Sequence, residues 1–142
     1  PFVIEYNVRL GDPETQVVMP RISSDLLALL LSVSSPKLFS KAKLSISSKA
    51  ASTVIITSGG YPEKYKTGYV VGGMCEVEDS ILFHAGLQLE NGNHLTTGGR
   101  VLAITSCGKT IQNALTKSYF NAHKIQFENM YFRKDIGQDV IK

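Results

Sequence analysis

From Phe2 to Leu10 apolar and polar residues alternate with period two, Ile4, Tyr6, Val8 and Leu10 against Glu5, Asn7 and Arg9. Successive side chains of a strand point to opposite faces, so this spacing predicts a strand over 2–10 with Glu5, Asn7 and Arg9 on one face. Gly11-Asp12-Pro13 ends it, because proline lacks an amide donor and pushes its predecessor out of the helical region. Ser23, Ser24 and Asp25 then lead into Leu26–Val33, which predicts a helix capped by Ser23 or Ser24 and buried on most sides. The stretch Ser32–Ser52 is rich in Ser and Lys and reads as a surface connection with a short helix around 38–42.

Beyond it the signals are those of strands. Thr53–Thr57, Tyr69–Val71, Ile81–Ala85 and Val101–Thr105 are short apolar or β-branched runs bounded by Gly and Ser. Asn91-Gly92 tolerates the positive φ of a type I′ turn and predicts that strands near 82–89 and 94–98 pair. Ile111, Ala114, Leu115, Ser118, Tyr119 and Ala122 form a stripe at helical spacing within a last helix over about 110–125. The fold class expected is α+β, with strands dominant and one helix closing the unit.

Composition narrows the function classes. The 142 residues are 43% apolar, ordinary for a globular protein, and no apolar run approaches a membrane span. No basic-then-apolar leader is visible, so no secretory signal is expected. A net charge of +3 with loosely spaced lysines (Lys37, Lys41, Lys43, Lys49) is a solvated face and not a nucleic-acid stripe. Cys75 and Cys107 are far apart without CxxC spacing, which suits reduced thiols and neither a metal site nor a disulfide framework.

The opening strand carries the strongest chemistry. A carboxylate and an amide oxygen two residues apart suit a hard cation such as Mg²⁺, and Arg9 on that face can hold a phosphate or carboxylate. A strand with one wet face would show the same alternation. Against that reading, Asp12, Glu14 and Gln16 follow at once, and crowded carboxylates repel without a cation. Gly108-Lys109-Thr110 is no phosphate loop, because the glycine required five residues before Gly108 is Ala103. It reads as a turn into the last helix. Gly98-Gly99-Arg100 reads equally as a bend that needs glycine and as an Arg presented to a cleft. His84 reads as packed, and Arg133-Lys134-Asp135 as a solvated charge run.

The segment VIEYNVRLGDPETQVVMPR (3–21) resembles the C-terminal metal strand and following turn of the phosphoribosylamine–glycine ligase family, whose fold is ATP-grasp. The likeness continues in family order through 58–62, 83–86, 96–105 and 127–137. It implies that Glu5 and Asn7 bridge Mg²⁺ or Mn²⁺ to the phosphates of ATP, the nucleotide substrate. It makes Arg9 and Asp12 substrate contacts, leaves Glu14 without a fixed role and assigns no catalytic side chain; Glu14, and Arg100 from its place after Gly98-Gly99, complete the substrate-contact candidates. Glycine, ATP and 5-phosphoribosylamine would be the ligands of the intact enzyme, together with upstream domains of the same polypeptide. The expected organisation is the end of an ATP-grasp domain (1–35), a linker (36–52) and a small β-rich, barrel-like domain of the rudiment single hybrid motif type (53–142). The resemblance further implies a cytoplasmic protein with neither nucleic-acid nor membrane partners, and a fragment inactive by itself. Another ATP-grasp ligase or a carboxylase component, and a non-catalytic β-rich binding module, are the other two readings.

Overall fold

The computed structural model describes residues 2–4 and 8–141. Its centre is a four-stranded antiparallel sheet of order β2-β5-β1-β6, where β1 is Ala50–Ser58, β2 Ile81–His84, β5 Arg100–Gly108 and β6 Met130–Tyr131. A separate hairpin pairs β3 (Leu87–Glu90) with β4 (Asn93–Thr96). Asn91 and Gly92 join those two strands with φ of 48° and 80°, as their sequence predicts. Among the described residues four α-helices, α1 (Thr15–Val18), α2 (Leu26–Ser32), α3 (Pro36–Phe39) and α4 (Ile111–Ala122), and two 3-10 turns, Met19–Arg21 and Met74–Glu76, complete the order.

The β1–β5 ladder organises the rest. Ser52, Val54 and Ile56 stand opposite Ser106, Ile104 and Leu102 and turn one face toward α4; Thr53 and Ile55 stand opposite Thr105 and Ala103 on the other. The first face is dry. Val54, Ile56, Leu102 and Ile104 are fully buried with Ala122 and Ile125, and burying each such aliphatic side chain is worth about 1.5–3 kcal/mol. One hydroxyl pair crosses from sheet to helix, Ser52 with Ser118 at 2.9 Å, and another joins the edge of β2 to β5, Ser80 with Ser106 at 2.7 Å. α4 is capped by Thr110, whose Oγ1 accepts from the Asn113 amide at 3.2 Å; this is the turn into a helix expected at Gly108-Lys109-Thr110. The opposite face receives α1, where Thr105 Oγ1 donates to the Gln16 carbonyl at 2.9 Å.

Several expectations need correction. Residues 2–4 and 8–10 lie in no strand, and Phe2, Ile4 and Val8 are almost wholly exposed. Extended backbone becomes a strand only against a ladder partner, and these residues have none among those described. The α2 cap is Asp25, whose carboxylate accepts from the Ala28 amide at 2.9 Å, and not Ser23 or Ser24. Nor is α2 buried on most sides: Leu27, Leu30 and Leu31 are each about 60% exposed. The periodicity marked an apolar face but not a partner for it.

The run 82–89 breaks at Ala85-Gly86 into β2 and β3, which join different sheets. Tyr69–Val71 is reduced to an isolated bridge from Val70 to Leu95, between Gly68 and Gly73 at φ of 88° and 80°. Among the described residues the main sheet does not close into a barrel, since β2 and β6 stay at its edges. Mixed α and β structure on antiparallel sheets is what stands.

Asn121, at 2% exposure, is the polar pivot on the buried side of α4. Its side-chain oxygen accepts from the Glu78 amide at 3.1 Å, and its Nδ2 donates to the Glu78 carbonyl and Ser80 Oγ, both at 2.8 Å. Asn121→Leu strands those partners and is expected to cost about 3 kcal/mol in urea unfolding. A loss below about 0.5 kcal/mol would contradict this role.

Candidate functional site

The register of β1 against β5 slips between Ile56 and Thr57, so that Thr57 faces Arg100. At that break a cleft of about 350 Å³ opens, walled by Thr57, Tyr61, Arg100, Tyr131 and Arg133 and reached by Pro13. Gly98-Gly99 makes the bend. Ser58 Oγ donates to the Gly98 carbonyl at 2.9 Å and the Ser58 amide to the Gly99 carbonyl at 2.8 Å. A Cβ on Gly99 would enter the Tyr61 ring, so glycine is what lets that ring lie against the strand start. Gly98-Gly99 is thus a glycine bend, and Arg100, which follows it, lies on the wall of this cleft.

The structure brings together two of the substrate-contact candidates. Arg100 Nη2 meets Asp12 Oδ2 at 3.0 Å, with the two side chains 39% and 51% exposed. An ion pair so open to water contributes at most about 1 kcal/mol of stability. Its importance is positional, because it places a cation and an anion at one cleft edge. Asp12 is held from the other side by Gln16, whose Nε2 donates to Oδ1 at 2.8 Å.

Arg9 and Glu14 do not reach this cleft. Arg9 Nη1 donates to the Leu10 carbonyl at 3.1 Å, and Glu14 Oε1 accepts from the Gly11 amide at 3.0 Å, closing its own turn. Thr15 Oγ1 bonds the Gly11 carbonyl and tightens the same turn. Glu5 and Asn7 lie outside the described residues, and among those described no three His, Cys, Asp or Glu side chains gather as a metal site.

Tyr61, Thr57 and Tyr131 were not singled out in the sequence; only the position of Tyr61 beside Gly59-Gly60 hinted at it. Arg133, read as solvated, is 63% exposed and also lines the cleft. It donates through Nε and Nη2 to both Asp135 oxygens at 2.9 and 2.7 Å. Those hydrogen bonds hold the Asp135 carboxyl below its ordinary range. A depressed carboxylate favours the fold at neutral pH, and its contribution is lost only as acid protonates it. His84 packs edge-on against His94 with ring centroids 5.5 Å apart, away from the cleft lining.

Comparison with known proteins follows the whole chain. The family described as phosphoribosylglycinamide synthetase, C domain, matches residues 51–139. A phosphoribosylamine–glycine ligase of Synechocystis is 40% identical over 98% of this chain and 34% of its own length. That of Yersinia pestis is 44% identical over 99% of this chain and 33% of its own. A bifunctional purine biosynthetic protein of Pichia angusta is 41% identical over the whole of this chain and 18% of its own. The crystal structure of a phosphoribosylamine–glycine ligase from Thermotoga maritima superposes with a TM-score of 0.78 and 31% identity, over 95% of this chain and 33% of that one. The chain thus spans about a third of the length of the ligases it matches.

The packing of Tyr61 on Gly99 yields a double-variant prediction. Gly99→Ala should destabilise the protein by about 1–3 kcal/mol, because the ring must leave its seat. Tyr61→Ala in the same chain should remove most of that penalty. Additive losses in chemical denaturation would show that the ring does not bear on Gly99.

Proposed function

We propose a function from one premise: the chain belongs to the phosphoribosylglycinamide synthetase C-domain family. On this reading it is the C-terminal part of a phosphoribosylamine–glycine ligase of de novo purine biosynthesis in the cytoplasm. The intact enzyme joins glycine to 5-phosphoribosylamine through a glycyl phosphate, converting ATP to ADP and phosphate. The observation that carries this proposal is likeness at about 40% identity to such ligases along essentially the whole chain, the Glu5–Gln16 segment included.

Residues 1–35 would end the ATP-grasp domain, 36–52 would connect, and 53–142 would be the small C-terminal domain. Glu5 and Asn7 supply two hard oxygen donors on alternate positions, the donor set that Mg²⁺ or Mn²⁺ prefers. Such a cation would offset charge on the phosphates of ATP. Arg100 offers a guanidinium at the cleft edge, suited to the phosphate of 5-phosphoribosylamine. Asp12, beside it, can accept from the ribose or amine. Arg9 and Glu14 keep a lesser claim as substrate contacts, since both are turned to backbone groups of their own turn. The aromatic wall of Tyr61 and Tyr131 would exclude water from that side.

In the full-length polypeptide, ADP formation should require both glycine and 5-phosphoribosylamine. Glu5→Ala or Asn7→Ala should each lower the rate about a hundredfold or more, as expected when a charge-stabilising ligand worth several kcal/mol is lost. The 142-residue chain alone should form no ADP. Unchanged rates in the two variants, or turnover by the isolated chain, would defeat the proposal.

A further inference from the structure

The Gly11–Gln16 turn holds one side chain to which the ligase reading gives no task. Gln16 donates from Nε2 to Asp12 Oδ1 at 2.8 Å, while Asp12 Oδ2 faces Arg100 Nη2 at 3.0 Å. Each carboxylate oxygen therefore has one of the two neighbours and keeps a free lone pair. Gln16 is itself anchored, because its backbone carbonyl accepts from Thr105 Oγ1 at 2.9 Å, and Thr105 is 1% exposed in the middle of β5. Arg100 is the first residue of that same strand. The contacts Arg100–Asp12–Gln16–Thr105 thus form a ring that leaves β5 and returns to it.

Resting on the ligase reading of the cleft, we infer that Gln16 is a positioning residue. It fixes the Asp12 carboxylate, which fixes the Arg100 guanidinium where the substrate phosphate is received. A half-exposed Asp–Arg pair alone is weak and lets the long arginine side chain swing. A second donor on the far carboxylate oxygen removes one of the carboxylate's rotational choices, and the guanidinium keeps its remaining N–H groups for an anion. Preorganisation of this kind acts on substrate capture more than on the chemical step when the phosphate is remote from the reacting atoms.

The test uses the full-length ligase. Gln16→Leu keeps the size and removes the donor, and should raise KM for 5-phosphoribosylamine about tenfold, the loss expected for one charge-assisted hydrogen bond. In the same variant kcat should fall less than about threefold, and KM for ATP and for glycine should stay put. In an Arg100→Ala background the same substitution should add less than about twofold. Gln16→Glu provides a readout that a merely structural role would not move. Its carboxylate has no N–H to give and repels Asp12, so its KM for 5-phosphoribosylamine should rise at least as far as in Gln16→Leu, while Gln16→Asn, which keeps an amide donor, should recover part of the loss.

An unchanged KM for 5-phosphoribosylamine in Gln16→Leu, with a raised one in Arg100→Ala, overturns the positioning role and leaves the ligase reading standing. So does an equal loss for all three substrates, or a KM for 5-phosphoribosylamine in Gln16→Glu that stays at the wild-type value. A wild-type protein that makes no ADP with 5-phosphoribosylamine overturns the ligase reading itself before any variant is compared.

Discussion

Everything in this molecule hangs on the pairing of β1 with β5. Ala50–Thr57 pairs antiparallel with Arg100–Gly108, with one slip beside Thr57, and β5 is also the partner of β2. Because β5 is central, its residues from Val101 to Ser106 are buried on both faces, and each face must be covered by something. α4 covers one with apolar side chains and paired hydroxyls. The Gly11–Arg21 segment meets the other through the Thr105–Gln16 bond and the contacts of α1 with the two strands. Without the ladder neither cover would have a surface to meet.

The same ladder makes the cleft by failing at one point. Where its register slips beside Thr57, the glycines at 98 and 99 take the chain round a bend that side chains would obstruct. Arg100 emerges there, already fixed in backbone by the strand that follows. The acidic partner arrives from the other end of the sequence, carried by a turn that is docked on that same strand. Strength is not the point, since exposed ion pairs of this kind are weak. Position is, because charge at a cleft acts on a ligand only if it is held in place.

Local chemistry made much of this legible. The Asn91-Gly92 hairpin, the cores of β1 and β5 and the stripe of α4 each follow from a few adjacent residues whose periodicity or φ preference admits few alternatives. What needed a distant partner was not legible. The alternation over 2–10 states a strand preference, yet a strand exists only in a ladder. The leucines of α2 state a preference for burial, yet nothing in their spacing names a cover. Ser24 and Asp25 are equally good caps on paper, and the choice of Asp25 depends on where the backbone turns. Likewise Asp12 and Arg100 were each visible as charged residues beside glycine, while their meeting depends on tertiary docking alone. Tyr61 escaped notice because its value lies in a glycine far along the chain.

On the ligase reading, the cleft edge at Arg100 and Asp12 would form one wall of a site for a phosphorylated ribosyl substrate. A crystal structure of the full-length polypeptide with glycinamide ribonucleotide tests it most directly. The phosphate of that molecule should lie within hydrogen-bond distance of the Arg100 guanidinium, with Asp12 still tied to Gln16. Density for the nucleotide on a surface that includes neither Arg100 nor Tyr61 would contradict it.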